Sequence, residues 1–320
     1  MLSNIIKDLN KSIKLFIKLN ILTKTIFFLI LIIIFLTIIN ANKSNIEGYR
    51  NNNIDEKIYK KNFFESKYED DVYDKLYAQI YDLVNLNIKK NNEEINSLKP
   101  YFKKFDYTKI LDVGCGTGNH VKILEENKYD VLGIDKSDAM IKVAKKNYPK
   151  CNFLVNDILN DNIFETGTFT HILCLNKTFY LLDSKEMFFQ NCYSLLNNNG
   201  YLIINLLDLD NINYYSNLDN KKNKLIYDSK KYGIKPNSHI VKFDNNIEFY
   251  SYCKNKDDKL IYNETFKNFK INSCRKNEII YKLKSEKYII ELAKKNNFKL
   301  IRKIELQNNK NNFLHIFKAI

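Results

Sequence analysis

The sequence predicts an α/β protein in which helices cover both faces of a mostly parallel sheet. Between residues 71 and 208, short apolar runs alternate with stretches in which apolar residues recur at helical spacing. Three of the eight glycines also fall within residues 114–118, directly after the first apolar run of this region. Such alternation puts the strands in one layer, the helices on either side of it and the glycine-rich turn at the sheet edge.

Length and charge exclude some classes of protein. The chain has 320 residues and a mass of 38.0 kDa, which suffices for one sizeable domain with appendages and excludes a disordered tail protein. The net charge of +14 is concentrated in residues 201–320, where 24 basic residues face 13 acidic ones. This basic third is compatible with an acidic partner, nucleic acid or an anionic membrane, and equally with a solvated lysine-rich surface. The six cysteines have no C-x-x-C pairs and no zinc spacing, so we expect reduced thiols and no metal site.

The N-terminus contains 18 consecutive uncharged residues, 25–42, between Lys24 and Lys43. As a helix this run would span about 27 Å, close to the hydrocarbon thickness of a bilayer, and we expect a transmembrane helix that anchors the chain. A cleaved signal peptide is the alternative, with Ala41 as its small-residue site. Residues 1–24 then form a basic N-terminal segment, and residues 43–70 form a linker.

A core is predicted over residues 71–208. It begins with a helix across 72–105, where apolar or aromatic residues recur at helical spacing. Strands follow at 110–113, 131–134, 152–155, 169–175 and 201–206, and helices at 119–126, 138–147 and 185–196. Residues 209–284 contain strand-like stretches without helical pattern, so we expect an antiparallel β insertion there. Residues 285–320 supply a closing helix, 285–297, and two last strands, 299–305 and 313–318.

The glycine-rich turn points to ligand binding. Gly114, Gly116 and Gly118 lie between a buried strand and a helix, and a turn without side chains lets the backbone approach a ligand closely. A dinucleotide site needs G-x-G-x-x-G, but the spacing here is G-x-G-x-G because position 119 is Asn. This spacing, with Asp112 two residues ahead of the first glycine, suits a ligand that carries an amino-acid moiety.

Two further acids follow the next two strands. Asp135 ends the second strand, where its carboxylate can accept hydrogen bonds from both hydroxyls of a ribose. Asp157 follows the third strand, where an acid can accept from the amino group of an adenine. Because the carboxyl ends of parallel strands meet at one sheet edge, we expect these acids to converge on one ligand.

Together these residues resemble the motifs of class I S-adenosylmethionine-dependent methyltransferases. The first family motif matches residues 110–118, the ribose-binding acid matches Asp135, and the adenine-contacting acid matches Asp157. The fourth-strand and fifth-strand motifs resemble residues 169–180 and 191–208. The likeness covers residues 70–208 and 285–320, and the chain is also similar to uncharacterised methyltransferases of large DNA viruses.

The resemblance implies a Rossmann-like sheet of seven strands, the last inserted antiparallel, with S-adenosyl-L-methionine as the cofactor. It implies that Met140 lies over the adenine, that Leu175 and Asn176 line the methionine end, and that residues 73–81 form a lid helix. The cofactor-binding residues expected on this basis are Tyr73, Asp112, Gly114, Cys115, Gly116, Gly118, Asp135, Met140, Asp157, Ile158, Leu175 and Asn176.

Some parts of the site stay open at this point. The methyl acceptor is a small molecule, a protein or RNA. We expect residues 209–284 to select it. No general base is identifiable from the sequence. Arg275, Asn277 and Glu278 form a polar cluster that either holds a substrate anion or makes a surface turn. His171 stands where the family usually has an acid, and such a lone histidine is usually a core or surface residue.

The expected function is that of a membrane-anchored methyltransferase in contact with the lipid bilayer through residues 25–42. Its catalytic domain would face the cytosol, where S-adenosylmethionine is made, or a virion interior. Two alternatives come from other classes of protein. One is a catalytically silent S-adenosylmethionine-binding module, and the other is a membrane-tethered nucleic-acid-binding protein that uses the basic C-terminal third.

Overall fold

The computed structural model describes residues 20–25, 27–30, 32–33, 64–103, 107–207, 209, 238–243, 247–256, 258–307 and 309–320. The chain divides into two compact units, residues 1–53 and 54–320. In the first unit, residues 21–25, 27–30 and 32–33 are helical.

The expected transmembrane helix is not supported. A helix needs about 20 consecutive apolar residues to cross a bilayer. Over the described ranges of the chain, no helix is both long enough and apolar enough to do so. The prediction of a membrane-spanning helix over residues 25–42 is therefore wrong, and the single-pass localisation and the lipid contact that depended on it are withdrawn. Residues 34–42 of that span lie outside the described residues.

The second unit contains the described strands and the helices that pack with them. In chain order the strands are β1 (Phe64–Tyr68), β2 (Lys109–Val113), β3 (Asp130–Asp135), β4 (Asn152–Val155), β5 (Phe169–Cys174), β6 (Leu196–Leu207), β7 (Ser238–Phe243), β8 (Ile247–Lys256), β9 (Lys259–Asn268), β10 (Ser273–Lys282), β11 (Phe298–Leu306) and β12 (Asn309–Ala319). The helices are α1 (Lys75–Asn85), α2 (Ile88–Phe102), α3 (Asn119–Glu126), α4 (Asp138–Asn147), α5 (Thr178–Leu181), α6 (Lys185–Leu195) and α7 (Glu286–Lys295).

Seven of these strands form the main sheet, in the order β11-β12-β6-β5-β2-β3-β4. Strand β12 lies between β11 and β6 and runs antiparallel to both, whereas β6, β5, β2, β3 and β4 are mutually parallel. The prediction of a seven-stranded, mostly parallel sheet with one antiparallel strand is confirmed. The carboxyl ends of β2, β3 and β4 therefore share one edge, where the predicted acids lie.

Apolar side chains cover both faces of this sheet. Successive strand residues point to opposite faces, and Ile110 and Leu111 belong to two different buried clusters, as do Leu202 and Ile203. One cluster includes side chains of α2 and α3, and the other includes α1, α6 and α7. The helices therefore pack on both sides, as the alternation of elements predicts.

A second sheet has five strands, in the order β1-β10-β9-β8-β7. Strands β7 to β10 form an antiparallel meander, which is the insertion expected before the last helix. Strand β1 pairs parallel with β10, although the sequence reading assigns residues 64–68 to a linker. The predicted single helix over 72–105 is also divided, because Leu86 and Asn87 are extended and the Asn87 side chain caps α2 by accepting from Lys90 N at 3.0 Å.

Candidate active site

The glycine-rich turn connects β2 to α3 in an unusual backbone conformation. Gly114, Gly116 and Gly118 have φ values of +68°, +56° and +87°, a region that residues with a Cβ rarely adopt. A Cβ on Gly118 would lie 2.6 Å from the Phe153 ring, and one on Gly114 would lie 2.4 Å from the Thr178 side chain. Both the dihedral angles and the packing therefore require glycine at these two positions.

Asp135 stands at the end of β3 and is tied to this turn. Gly116 N donates to Asp135 Oδ2 at 2.9 Å, and Ser137 N donates to Oδ1 at 2.9 Å. Desolvation raises the pKa of the carboxyl, and the two amide hydrogen bonds oppose that rise. The side chain lines a cavity of about 300 Å³ at the sheet edge, and each of its oxygens retains a lone pair for a ligand hydroxyl.

Asp112 is the most deeply buried of the three predicted acids. The residue is 2% exposed, and its Oδ2 atom has no hydrogen-bond partner. Burial raises the pKa of this carboxyl to about 7, with Glu94 adding to the rise and His120 opposing it. Asp112 lines a smaller cavity of about 40 Å³ whose walls share Gly114 and Gly116 with the larger one. A buried carboxylate oxygen without a donor is costly unless a ligand supplies one.

Glu94 lies close enough to Asp112 to influence its charge. Its carboxylate contacts Lys90 Nζ at 2.8 Å and His120 Nε2 at 2.8 Å, and all three residues are buried. Burial alone would raise the pKa of Glu94, but Lys90 and His120 hold it down at about 2. Lys90 Nζ also donates to the side chain of Asn176, so this ion pair contacts a predicted cofactor residue. The sequence reading misses the cluster because its members lie on α2 and α3.

The predicted adenine end brings together residues from α4 and the segment after β4. Asp157, Ile158 and Met140 all line the larger cavity, and the latter two are 2% and 1% exposed. Asp157 Oδ1 accepts from Leu159 N at 2.9 Å, which fixes the orientation of the carboxylate. An acid beside two buried apolar side chains is a suitable environment for a flat ring with an exocyclic amino group.

The remaining predicted residues surround the glycine turn. Leu175 is 3% exposed and lines the smaller cavity, whereas Asn176 is exposed, has φ of +50° and lines both cavities. Cys115 is buried, its Sγ lies 2.9 Å from where a Cβ on Gly133 would be, and burial raises its pKa well above the usual value. The sulfur is therefore an unreactive packing group.

Aromatic rings close the cavity on the side opposite the sheet edge. Tyr73, Tyr77 and Tyr81 pack edge to face, with ring centroids 5.7 and 5.6 Å apart. Tyr262 of β9 and Tyr281 of β10 line the same cavity together with these three rings. Helix α1 and the inner face of the five-stranded sheet thus form a roof over the site. The sequence predicts a lid helix at residues 73–81, which is the α1 part of this roof. It does not predict that Tyr262 of β9 and Tyr281 of β10 line the cavity.

Arg275 joins the two parts of this roof, because it connects strand β10 to the start of helix α1. Its Nη1 atom donates to both oxygens of Asp74 at 2.8 Å, Nη2 donates to Val72 O at 2.8 Å, and Nε donates to Asn277 Oδ1 at 2.7 Å. Asp74 is also the N-cap of α1, accepting from Leu76 N and Tyr77 N. Arg275 is 1% exposed, so Arg275 and Asn277 belong to a buried clamp rather than to a surface turn.

His171 belongs to the core of the main sheet. His171 is fully buried in β5, its ring stacks on Tyr201 at 5.4 Å, and burial lowers its pKa to about 4. It is therefore a neutral core residue. Within the described part of the chain, no three His, Cys, Asp or Glu side chains are placed to hold a metal ion.

Comparison with known proteins agrees with this architecture. Residues 110–200 match the family model described as a methyltransferase domain. A stretch of 57 residues is 46% identical to a protein of Invertebrate iridescent virus 6 named as a candidate methyltransferase (235L), and covers 17% of this chain and 21% of that protein. A stretch of 101 residues is 31% identical to trans-aconitate 2-methyltransferase of Escherichia coli O7:K1, and covers 31% and 39% of the two chains. The matched parts thus span well under half of these relatives.

Solved structures share the fold over a larger part of the chain. A S-adenosylmethionine-dependent methyltransferase from Clostridium acetobutylicum superimposes with a TM-score of 0.56 at 20% identity, covering 76% of this chain and 97% of that one. The S-adenosylmethionine-bound amino pentose methyltransferase CalS10 from Micromonospora echinaspora gives a TM-score of 0.57 at 14% identity, covering 78% and 98%.

The seven-stranded sheet, the glycine turn and the matched region define the class of protein. Residues 110–200 carry a methyltransferase domain, and the solved structures share the fold of S-adenosylmethionine-dependent methyltransferases, in agreement with the family and the cofactor expected from the sequence. The domain boundaries and the roles of individual cofactor residues remain predictions.

Proposed function

We propose that this protein transfers a methyl group from S-adenosylmethionine to an acceptor bound beneath the tyrosine roof. The observation that carries the proposal is the cavity of about 300 Å³, which lies between the glycine turn, Asp135 and Asp157 on one side and the roof on the other. The cofactor supplies a methyl group on a sulfonium, whose bond to sulfur breaks with the electron pair remaining on sulfur as the acceptor attacks. The residues that line the cavity would bind and orient the cofactor and exclude water.

The chemistry of the lining residues fits each part of this cofactor. The unpartnered Asp112 Oδ2 suits the ammonium group of the methionine moiety, which can donate to it in the smaller cavity. Backbone at Gly114 and Gly116 lies on the wall between the two cavities. Leu175 and Asn176 would bound the methionine end, with Asn176 oriented by Lys90.

The nucleoside part of the cofactor would lie along β3 and β4. Asp135, held by two backbone amides, would accept from the ribose hydroxyls, and Asp157 would accept from the adenine amino group. Met140 and Ile158 would pack on the ring faces, and Tyr73, just ahead of α1, would cover the nucleoside. Tyr73 O also accepts from Ser137 Oγ at 2.6 Å, so the roof is tied to the β3 end directly.

Calorimetric titration of the full chain tests the proposal. S-adenosylmethionine and S-adenosylhomocysteine should bind and NAD should not, because the turn lacks the dinucleotide spacing. Asp135→Ala should weaken binding of both ligands by tenfold or more, on the scale of about 1.5–3 kcal/mol for hydrogen bonds to a charged group. Asp130→Ala is the matched control, since Asp130 begins the same strand β3 at the opposite edge and is exposed. A folded protein that binds neither ligand would overturn the proposal.

A further inference from the structure

The roof side of the cavity is lined by tyrosines. Five tyrosine rings line the cavity, and three of them, Tyr73, Tyr81 and Tyr262, are only half-buried and so retain surface for a ligand. The faces of aromatic rings attract cations. Two rings of this roof already carry one, since Lys177 Nζ lies 5.4 Å from the centre of Tyr281 and the Arg275 guanidinium lies 5.9 Å from the centre of Tyr77. These surfaces favour a positively charged acceptor.

A buried carboxylate stands directly behind the roof. Tyr77 lines the cavity, and its hydroxyl donates to Glu264 Oε1 at 2.9 Å. The other oxygen, Oε2, accepts from Asn277 Nδ2 at 3.0 Å, and Asn277 is held in turn by Arg275. Asn85, which also lines the cavity, approaches the Tyr77 hydroxyl at 3.4 Å. A continuous hydrogen-bonded path therefore leads from the cavity wall to Glu264.

Glu264 can change its protonation state near neutral pH. It is 1% exposed, and burial raises its pKa to about 7, while Asn277, Tyr77, Arg275 and Lys177 oppose the rise. The titratable and charged groups that face it from the surrounding elements are Tyr73, Tyr77 and Tyr81, Tyr262, Arg275 and Tyr281, and Lys177.

The tyrosines that surround Glu264 do not ionise near neutral pH. Burial raises the pKa of each of the five tyrosines, so they stay neutral at physiological pH. Burial lowers the pKa of Lys177.

From this arrangement we infer that the acceptor is an amine, held as an ammonium ion by the tyrosine rings and deprotonated by Glu264 through Tyr77. The ammonium proton passes to Tyr77 Oη while the Tyr77 hydroxyl proton passes to Glu264 Oε1, and the nitrogen keeps its electron pair. That freed pair is the nucleophile which methyl transfer requires, and Glu264 later returns its proton to water. The inference rests on the proposed function and adds the substrate class and the proton acceptor to it.

A carboxylate acceptor fits this cavity less well. A carboxylate nucleophile has no proton to lose at neutral pH, so a buried proton acceptor would serve no purpose for it. The negative faces of the tyrosine rings and the charge on Glu264 would also repel it. A dicarboxylate or tricarboxylate acceptor would require positively charged groups, whereas the roof presents tyrosine ring faces and a carboxylate.

Three probes of one shape and different charge test the substrate class. Choline is the cation, 3,3-dimethylbutan-1-ol the neutral analogue, and 3,3-dimethylbutanoate the anion. Each is titrated into the full chain saturated with S-adenosylhomocysteine. We expect choline to bind at least about fivefold more tightly than the alcohol, on the scale of a desolvated cation–π contact, and the anion most weakly. Choline affinity should rise as the pH passes upward through about 7, where Glu264 ionises.

Variants separate the carboxylate from the rest of the roof. Glu264→Gln should abolish the pH dependence and reduce the preference for choline to the part that the tyrosine rings supply. Glu248→Gln is the matched control, because Glu248 is also hydrogen-bonded to a tyrosine, Tyr250, but points to the opposite face of the five-stranded sheet. Binding of choline no tighter than the alcohol, or a preference and pH dependence unchanged in Glu264→Gln, would overturn the inference.

Infrared difference spectroscopy tests the proton transfer to Glu264. Infrared difference spectra on binding 2-dimethylaminoethanol, which has a transferable proton, should show a new protonated-carboxyl band that choline does not produce. The band should be absent in Glu264→Gln and weakened in Tyr77→Phe. A band produced equally by choline, or one retained in Glu264→Gln, contradicts the proton transfer. If S-adenosylhomocysteine itself fails to bind, the proposed function fails; if it binds and the probes show no charge preference, only the amine inference fails.

Discussion

Asp112→Asn is the substitution that tests the cofactor site most directly. The Asp112 carboxyl is 2% exposed and has one oxygen without a partner, and burial raises its pKa to about 7. In the free protein it is therefore half protonated near neutral pH. A ligand ammonium placed against it would hold it ionised, so binding below that pH must displace a proton. Affinity for S-adenosylhomocysteine should rise by up to about tenfold per pH unit until the pH reaches about 7.

The expected size of the effect follows from the lost charge. A hydrogen bond to a charged group contributes roughly 1.5–3 kcal/mol, so Asp112→Asn should weaken binding near pH 8 by roughly ten- to hundredfold. The same variant should stabilise the free protein. Because the folded-state pKa is raised, the native state binds this proton more tightly than the unfolded chain does, and wild-type stability falls as pH rises from about 4 to about 7. A rise from 3.8 to about 7 corresponds to an upper value on the order of 4 kcal/mol.

Calorimetry in two buffers of different ionisation enthalpy measures both quantities. Wild-type protein should release a fraction of a proton on binding near pH 7, and Asp112→Asn should release none. Asp138→Asn is the control, because Asp138 is exposed on α4 and pairs with Lys142. Thermal unfolding without ligand gives the stability comparison. If Asp112→Asn retains wild-type affinity and the wild-type pH slope, the carboxyl does not face the ligand and the reasoning is refuted.

Two further substitutions test the frame of the site. Gly118→Ala combines φ of +87° with a Cβ only 2.6 Å from Phe153, whereas a Cβ on Gly116 meets nothing nearer than 3.9 Å. Gly118→Ala should therefore lose about 1–3 kcal/mol more in chemical denaturation, and equal losses would contradict the packing argument. Glu94→Gln leaves Lys90 with a neutral partner and should cost about 3–5 kcal/mol near neutral pH. The wild-type contribution should disappear as pH falls from 4.5 toward about 2, so superimposable acid-unfolding curves would argue against it.

The sheet edge could be predicted from sequence because its signals are local. Each of the acids Asp112, Asp135 and Asp157 follows or ends a short apolar run, and the glycines stand between a strand and a helix. Parallel strands bring such positions to one edge whatever the detailed packing. The structure accordingly gathers these three acids around two adjoining cavities.

Local signals also misled the sequence reading in three places. The apolar run at 25–42 has the composition of a membrane span, yet among described residues no helix of that kind is found. Helical periodicity continues through residues 72–105. The first helix nevertheless ends at Leu86, and the Asn87 side chain caps the start of a second helix. Strand β1 is too short and too polar to stand out, and it forms only by pairing with β10 some 200 residues away.

The β9 and β10 part of the roof is not predicted because its contacts are remote in sequence. Tyr77 and Glu264 are 187 positions apart, and Asp74 and Arg275 are 201 apart. One local signal nevertheless exists. On β9 the residues at alternate positions 260, 262, 264 and 266 are Leu, Tyr, Glu and Phe, so strand periodicity puts Glu264 on an apolar, aromatic face. On β10 the same periodicity puts Arg275 on the face that carries Ile279 and Tyr281.

An ionisable residue on such a face needs a partner, because burying an isolated charge is prohibitively costly. Glu264 and Arg275 lie on adjacent strands of opposite direction, and the register pairs Glu264 with Asn277 and Arg275 with Phe266. Neither charge is therefore satisfied by its direct cross-strand neighbour alone, and both reach the same helix, one at Tyr77 and the other at Asp74. The two charges on the inner face of the insertion thus hold α1 over the cavity, and one of them places a proton acceptor behind the ring that faces the ligand.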